Sequence, residues 1–227
     1  MRRVPPPLPQ WKPGVAIASP VSDMIALDAS ALDVRETYKL MTSGVIPRPI
    51  AFVSTLNENG TVNLAPFSYF NAVSSAPPAI MLAVTYKSDG SKKDTLINIE
   101  RSREFVVNSV SEWMAEPMNH CSADYPNGVS ELEKVGLCPI PSDVVSPPRV
   151  KESPFHMECK LHTTVAVGGG GAGSSTIVIG EVVKFHIHKP AYQNGVIIPD
   201  ELKPLCRLGG TSYGILGDLF DLDRPKL

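Results

Sequence analysis

The sequence predicts a mainly β protein, a barrel of antiparallel strands with a few short helices, and three observations lead there. β-rich segments recur from "RPIAFVSTL" at Arg48–Leu56 to "TIVIGEVVKFHIHK" at Thr176–Lys189. "NENG" (Asn57–Gly60) joins two of them through a hairpin turn, because Asn-Gly adopts the positive φ that a tight two-strand reversal needs. Helical stripes are few and short, so the core must be enclosed mostly by strands.

Taken in chain order, residues 1–30 hold six prolines and no sustained periodicity, which predicts an extended arm; the boundaries drawn are 1–32 for this extension and 33–227 for one domain. Two arginines stand near the start as in a signal peptide, but prolines interrupt where an apolar run should follow, so a cytoplasmic chain is expected. Asp33 with Glu36 three residues on forms a capping-box start, and Gly44 supplies a stop. After the hairpin, whose second strand "TVNLAPF" closes at Pro66, "AIMLAVT" (Ala79–Thr85) reads as a buried strand. "DTLINIERS" places Leu96, Ile97 and Ile99 on a helical stripe with Asp94 as N-cap, and "EFVVNSV" returns as a strand. A helix is expected around Glu112–Cys121. "FHMECKLHTTVAV" alternates, with Phe155, Met157, Cys159 and Leu161 on one face and His156, Glu158, Lys160 and His162 on the other. In the last strand Gly180 suggests a bulge, Val183, Phe185 and Ile187 are expected inward, and Lys184, His186 and His188 outward.

Composition narrows the function classes. With 43% apolar residues, 19% charged and a formal net charge of −2, the chain has neither the basic excess of a nucleic-acid binder nor a polybasic face for an anionic membrane. No apolar run approaches the roughly 20 residues of a membrane helix. Cys121, Cys138, Cys159 and Cys206 are scattered without C-x-x-C spacing, so reduced thiols are expected, with neither a disulfide framework nor a metal site.

Several motifs are weighed against simpler readings. Gly168–Gly173 satisfies G-x-G-x-x-G, yet a strand follows it where a dinucleotide loop needs a helix, so a hairpin loop is expected. His186 and His188 share a strand face and His162 could meet them, but no carboxylate or thiol is tied to them by spacing. His120-Cys121 lacks an identifiable orienting partner for a thiolate nucleophile. "SDGSKKDT" differs: Ser91, Lys92, Lys93 and Thr95 gather just before a helix whose first amides lack internal partners and whose dipole favours an anion, a combination suited to phosphate. Arg48 between two prolines and the Ala65-Pro66-Phe67-Ser68 corner add a fixed cation, a hydroxyl, an aromatic plate and backbone amides. A phosphorylated planar ligand would use all of them.

With these residues the chain resembles the flavin reductase-like family of FMN-binding split barrels, including flavoredoxin-like proteins. The resemblance is carried by "VIPRPIAFVST", "GTVNLAPFSYFNAVS", "KDTLINI" and "EFVVNSV", with weaker support from "ECKL", "IGEVV" and "RLGGTSYG", and it spans roughly residues 35 to 225. It implies a six-stranded antiparallel Greek-key split barrel that dimerises and binds FMN near the subunit boundary. By position it implies Lys93 and Thr95 at the phosphate, Ser68 near the ribityl–phosphate end, Ser54 and Thr55 facing the ring, Asp94 capping the helix, and Arg48 as a second cation. Ala65, Pro66 and Phe67 flank the flavin; Arg207 and Tyr213 belong to a motif that could be structural. The long arm and the Gly-rich hairpin depart from the family pattern. The activity implied is that of an FMN-dependent oxidoreductase taking electrons from NADH, NADPH or another donor, with no catalytic acid or base identified. A split barrel redeployed for a non-reductive biosynthetic step, and a non-enzymatic binding module, are the alternatives.

Overall fold

The computed structural model describes residues 1–226. Seven strands build one antiparallel sheet: β1 (Ala51–Leu56), β2 (Val62–Phe67), β3 (Phe70–Ser75), β4 (Pro78–Thr85), β5 (Glu104–Ser109), β6 (Phe155–Val167) and β7 (Ser175–Ile187). Their spatial order is β2-β1-β5-β6-β7-β4-β3. The two edge strands are consecutive in the chain and only Ser68 and Tyr69 separate them, so the sheet has to curl until its edges approach. The Tyr69 carbonyl accepts from the Ala83 amide at 2.8 Å and carries the β3–β4 ladder into this corner. This is a split barrel, and the expected six strands become seven because the stretch from Val62 to Ser75 breaks at this corner.

The barrel interior is apolar. Val53, Leu82, Val84, Phe105, Val107, Cys159 and Val178 pack there, closed by Leu96 and Ile99 of helix α2 (Asp94–Ser102). Ile97, expected on the same stripe, is exposed, since at one residue from Leu96 it points some 100° away. A second cluster lies outside β1 and β2, where Phe52 and Leu64 meet Met114, Met118, Leu132 and Leu205. β1 is thus covered on both faces.

Local signals act as expected at several points. Helix α1 (Val34–Gly44) begins with the full Asp33–Glu36 capping box. β1 and β2 pair as a hairpin, with Asn57 and Thr61 closing the turn. The expected helix over 112–121 is a 3-10 turn, Glu112–Met114, followed by α3 (Ala115–His120). The register of β6 against β7 shifts at Ile179/Gly180, where Gly180 is forced: a Cβ there would lie 2.4 Å from Phe105 Cζ.

Two alternations do not hold. A further register shift between Val182 and Lys184 leaves Val183 and Phe185 exposed, and Phe185 stacks instead on Phe155 with ring centroids 6.0 Å apart. On β6, His156 and Glu158 are buried rather than outward, because the segment around residues 143–150 covers that face. Glu158 accepts from the amides of Asp143, Val144 and Val145 at 2.8, 2.7 and 3.1 Å, and His156 Nε2 meets the Val150 carbonyl at 2.8 Å.

The N-terminus lies on the C-terminal tail. Arg2 and Arg3 pair with Asp218 and Asp221, and the amides of Val4 and Leu219 donate to the Leu219 and Arg2 carbonyls. Between them and α1 the arm belongs to neither apolar cluster, and Ile25 is 88% exposed. No helix among the described residues is long and apolar enough to cross a membrane.

Candidate functional site

The barrel seam sets the site. Where β2 turns into β3, Pro66, Phe67 and Ser68 form a wall shared by adjoining cavities. On one side lies a cavity of about 440 Å³, within the range of about 300–1,000 Å³ usual for small-molecule sites, lined among others by Asn63, Tyr86, Lys93, Thr95 and Tyr125. On the other lies one of about 200 Å³ that reaches Tyr38, Arg207 and Tyr213.

A polar network fixes the first side. Asn63 Nδ2 donates to Thr55 Oγ1 and Thr95 Oγ1 at 3.1 and 2.9 Å, while Asn98 Nδ2 donates to Thr55 Oγ1 and Asn57 Oδ1 at 3.1 and 2.8 Å. These bonds lock the start of α2 to the β1–β2 hairpin. Because the Thr95 oxygen accepts from Asn63, its own proton is available to the cavity. Lys93, not Asp94, occupies the N-cap of α2, and no side chain among the described residues caps that end; the Leu96 amide turns back to the Lys93 carbonyl at 3.0 Å, and those of Asp94 and Thr95 remain open to an anion. Asp94 is the first helical residue instead; its carboxylate takes Asn127 Nδ2 at 3.2 Å and Lys87 at 3.8 Å. Lys92 is tied to Glu100 at 2.6 Å, whereas Lys93 has no ion pair among the described residues.

Other walls were not anticipated. Glu131, the first residue of the short helix α4 (Glu131–Lys134), holds the Leu64 amide at 2.9 Å, and burial raises its pKa. The nearby Cys121 thiol is pushed up to about 12 by burial and by Glu131, which removes it as a thiolate nucleophile at neutral pH. His120 is engaged with Tyr125, Nε2 to hydroxyl 2.8 Å. Asn63 and Glu131 carried no sequence signal beyond being polar, and only their burial singles them out.

Of the residues expected at the flavin, Ala65, Pro66, Phe67, Ser68, Lys93, Asp94 and Thr95 gather along this wall. Phe67 packs in the barrel core as well as bordering the cavity, and Tyr86 and Tyr125 are further aromatic residues of its lining. Ser54 and Thr55 do not face a cavity. Ser54 donates to the Pro148 carbonyl at 2.5 Å and Thr55 sits beneath the asparagine network, both fully buried because β1 is covered on both faces. Arg48 is buried as well, donating to the carbonyls of Thr42, Val45 and Leu208 and to Ser68 Oγ.

The histidine cluster forms differently from the arrangement considered. His186 meets Glu158 at 2.5 Å, with Asp143 alongside, while His162 and His188 stand outside the group. Burial pushes the Glu158 pKa up, but the Asp143 amide, His186 and the Val144 and Val145 amides outweigh it and hold the carboxylate below its ordinary range. Asp143 is engaged by Lys184 at 2.5 Å. The donors are committed to one another, and the cluster acts as a clasp between β6, β7 and the covering segment.

The fold and this wall define a split barrel with a phosphate-ready helix start at its seam. Residues 41–205 match the model of the flavin reductase-like domain, and the chain belongs to that family. It is 42% identical over 206 residues to the uncharacterized protein YwrF of Bacillus subtilis, covering 89% of this chain and 100% of that one. Among solved structures it is similar to nitrilotriacetate monooxygenase component B from Bacillus cereus, with 38% identity, a TM-score of 0.85 and coverage of 89% and 100%. It is also similar to the 2-nitrobenzoate 2-nitroreductase NbaA of Pseudomonas fluorescens, with 34% identity, a TM-score of 0.80 and coverage of 88% and 96%. Family membership makes this a flavin-linked protein of the oxidoreductase type.

Proposed function

We propose that the chain binds FMN along the Pro66–Ser68 wall and passes two electrons from NADH or NADPH through it to an acceptor. The observation that carries this is the uncapped start of α2 with Lys93, which has no ion pair among the described residues, beside a cavity of ring-binding size, in a member of the flavin reductase-like family. Flavin, when bound, supplies the redox chemistry: it accepts a hydride from the dihydronicotinamide and a proton from solvent, and gives both electrons onward. The chain's part is to bind and orient. Lys93 and the Asp94 and Thr95 amides take the phosphate; Thr95 donates its hydroxyl proton; Ser68 borders the sugar-alcohol chain; Tyr86 and Tyr125 screen the ring. One compact anion site favours FMN over FAD. The likeness to NbaA suggests nitroaromatic acids as one acceptor class to try.

The reading extends to a homodimer whose arm, residues 1–32, reaches the partner through the stretch between Val4, which is tied to the C-terminal tail, and α1. The chain exposes 13958 Å², against about 10,000 Å² for a compact monomer of this length, and the excess includes apolar side chains such as Met24 and Ile25 that meet no core of their own. Residence of the protein in the cytoplasm is part of the same proposal.

The visible spectrum of the purified protein, identification of flavin released on denaturation, and anaerobic addition of NADH and NADPH test the redox reading. FMN released and bleached by either nicotinamide is expected. Release of FAD from protein offered both flavins overturns the cofactor, and a flavin that neither nicotinamide reduces overturns the activity. Light scattering of the full chain and of a chain lacking residues 1–32 tests the arm: a weaker dimer is expected on truncation, and an unchanged one removes the arm from the interface.

A further inference from the structure

We propose that the cavity walled by Lys39, Arg48 and Arg207 binds the oxyanion of the second substrate, a phosphate of the nicotinamide donor or a carboxylate of the acceptor. This rests on the redox reading above and names the recognition chemistry of its other substrate.

The cavity has a volume of about 210 Å³, and its walls hold three cations, four hydroxyls (Tyr38, Thr42, Ser43, Ser68) and no carboxylate. The neighbouring cavity at Lys93 contrasts with it: its walls carry Asp89, Asp94, Asp124 and Glu131 against Lys87 and Lys93. Among the described residues, none of Lys39, Arg48 and Arg207 belongs to an ion pair, although Arg48 is only 5% exposed.

Both guanidinium groups are held in place. Arg48 is fixed by the Thr42, Val45 and Leu208 carbonyls, and Arg207 lies 4.4 Å over the Tyr213 ring while donating to the Gly210 carbonyl. Carbonyl dipoles orient a guanidinium but do not cancel its charge. Capping the carbonyl end of α1 accounts for Arg48 alone. It does not account for Lys39 and Arg207 on the same cavity. Thr42 and Ser43 spend their protons on the Tyr38 and Lys39 carbonyls and Arg48 contributes mainly charge, so an oxyanion accepts from the Arg207 guanidinium, the Lys39 ammonium and the Tyr38 and Ser68 hydroxyls.

Position supports a second substrate rather than the flavin itself. Tyr38, Ser68 and Arg207 border both this cavity and the one against Pro66 and Phe67, so an anion seated here lies one wall from the ring, and Lys39, Arg48 and Arg207 line neither the cavity at Lys93 nor the one that joins Lys93 to Tyr38, Thr42 and Ser68. A molecule anchored there could lay its reacting end against the flavin.

The test uses Lys39→Gln with Arg207→Gln and leaves Arg48 in place, because removing Arg48 strips donors from three carbonyls. Steady-state rates are measured with NADH and NADPH, and with 2-nitrobenzoate against uncharged nitrobenzene as acceptors, alongside a flavin titration. The expected result is a KM raised about tenfold to hundredfold for the anionic substrate that uses the site, kcat and flavin affinity within about twofold of the wild type, and partial recovery with Arg207→Lys. A rise for the nicotinamides places a donor phosphate there; a rise confined to 2-nitrobenzoate places an acceptor carboxylate. KM values unchanged for every substrate, an equal rise for 2-nitrobenzoate and nitrobenzene, or flavin affinity falling in step overturn the proposal, the last by giving the cavity to the cofactor phosphate. Calorimetric titration with inorganic phosphate needs no turnover, so it separates this site from the redox reading. With the Lys93 site filled by FMN, saturable binding in the wild type that the double variant loses is expected, and identical behaviour of the two proteins overturns the site.

Discussion

The two ends of the wall at the barrel seam are built by opposite means. At the Lys93 end, residues 51 to 102 supply the hairpin, the helix start and the Thr55–Asn63–Thr95–Asn98 network, so neighbours in sequence make its floor, and residues 121 to 131 add the remaining wall. At the Arg48 end, the walls come from residues 38 to 48, from Ser68 and from Arg207 to Gly210, drawn together by pairing of Arg48 with Arg207 across two short strands. The first end has its cation free and its hydrogen bonds beneath; the second has its cation built into the fold. A lysine at a helix start can be lost without disturbing the barrel, whereas a buried arginine bonded to three carbonyls cannot.

Arg48→Met is therefore the largest expected effect and the sharpest test of that contrast. It leaves the Thr42, Val45 and Leu208 carbonyls without their donor, and with about 1–3 kcal/mol for each unmet buried group the chain should lose roughly 3 kcal/mol or more of stability in chemical denaturation. Lys93→Met should change it by no more than about 0.5 kcal/mol. Equal losses at the two positions would erase the distinction.

A group outside both ends supplies the control. His156 is pushed down to about 4 by burial, its Nδ1 is buried without a partner, and it lies under residues 143–150 rather than at the wall. Its neutral form is the folded one. Above pH 6.5 it costs nothing; as pH falls from 6.5 towards 4 the unfolded chain takes up a proton that the folded chain refuses, and about 3 kcal/mol of stability is lost. Glu158 adds its own loss only further down, because its folded pKa is depressed and its contribution disappears as pH drops below the ordinary carboxylate range. Denaturation midpoints of the wild type and His156→Gln across pH 7 to 4 check this; parallel curves would mean that His156 is not the source.

Within the Lys93 end, ligand affinity discriminates where stability does not. Lys93→Ala is expected to weaken FMN by about 1.5–3 kcal/mol, roughly tenfold to hundredfold, and Lys92→Ala much less, since Lys92 is committed to Glu100. Equal and negligible losses in the two titrations would take the loop out of the site. The smallest effect is expected for Thr95→Val, which keeps the shape and deletes one hydroxyl: about 1 kcal/mol, or fivefold in FMN affinity, with no change if the hydroxyl never meets the ligand.

How much of this was legible in the sequence follows the same division. The capping box at Asp33 and Glu36, the Asn-Gly hairpin and the bulge at Gly180 were readable because each depends on a few adjacent residues and the backbone angles they permit. The run Lys93-Asp94-Thr95 was readable as a helix start by the same logic, with an error of one residue in the cap. Alternation failed on β6 and β7 because a pattern of side chains tells which residues share a face but not what covers that face. The segment around 143–150 lies over His156 and Glu158, and a second bulge turns Val183 and Phe185 to the surface.

By itself, then, the sequence determined the barrel class, the order of hairpins and helices, and the anion-ready turn before α2, since propensity, turn chemistry and periodicity act over a few residues. Only the tertiary structure decided that Ser54 and Thr55 are buried beneath the site, that Phe67 turns its ring into the core, and that Arg48 faces Arg207 and Lys39 across a cavity without a carboxylate. Those outcomes depend on which chain-distant surfaces meet when the sheet curls and its edges approach at Ser68 and Tyr69. That closure is driven by burial of apolar area over the whole barrel, a quantity that no single stretch of residues contains.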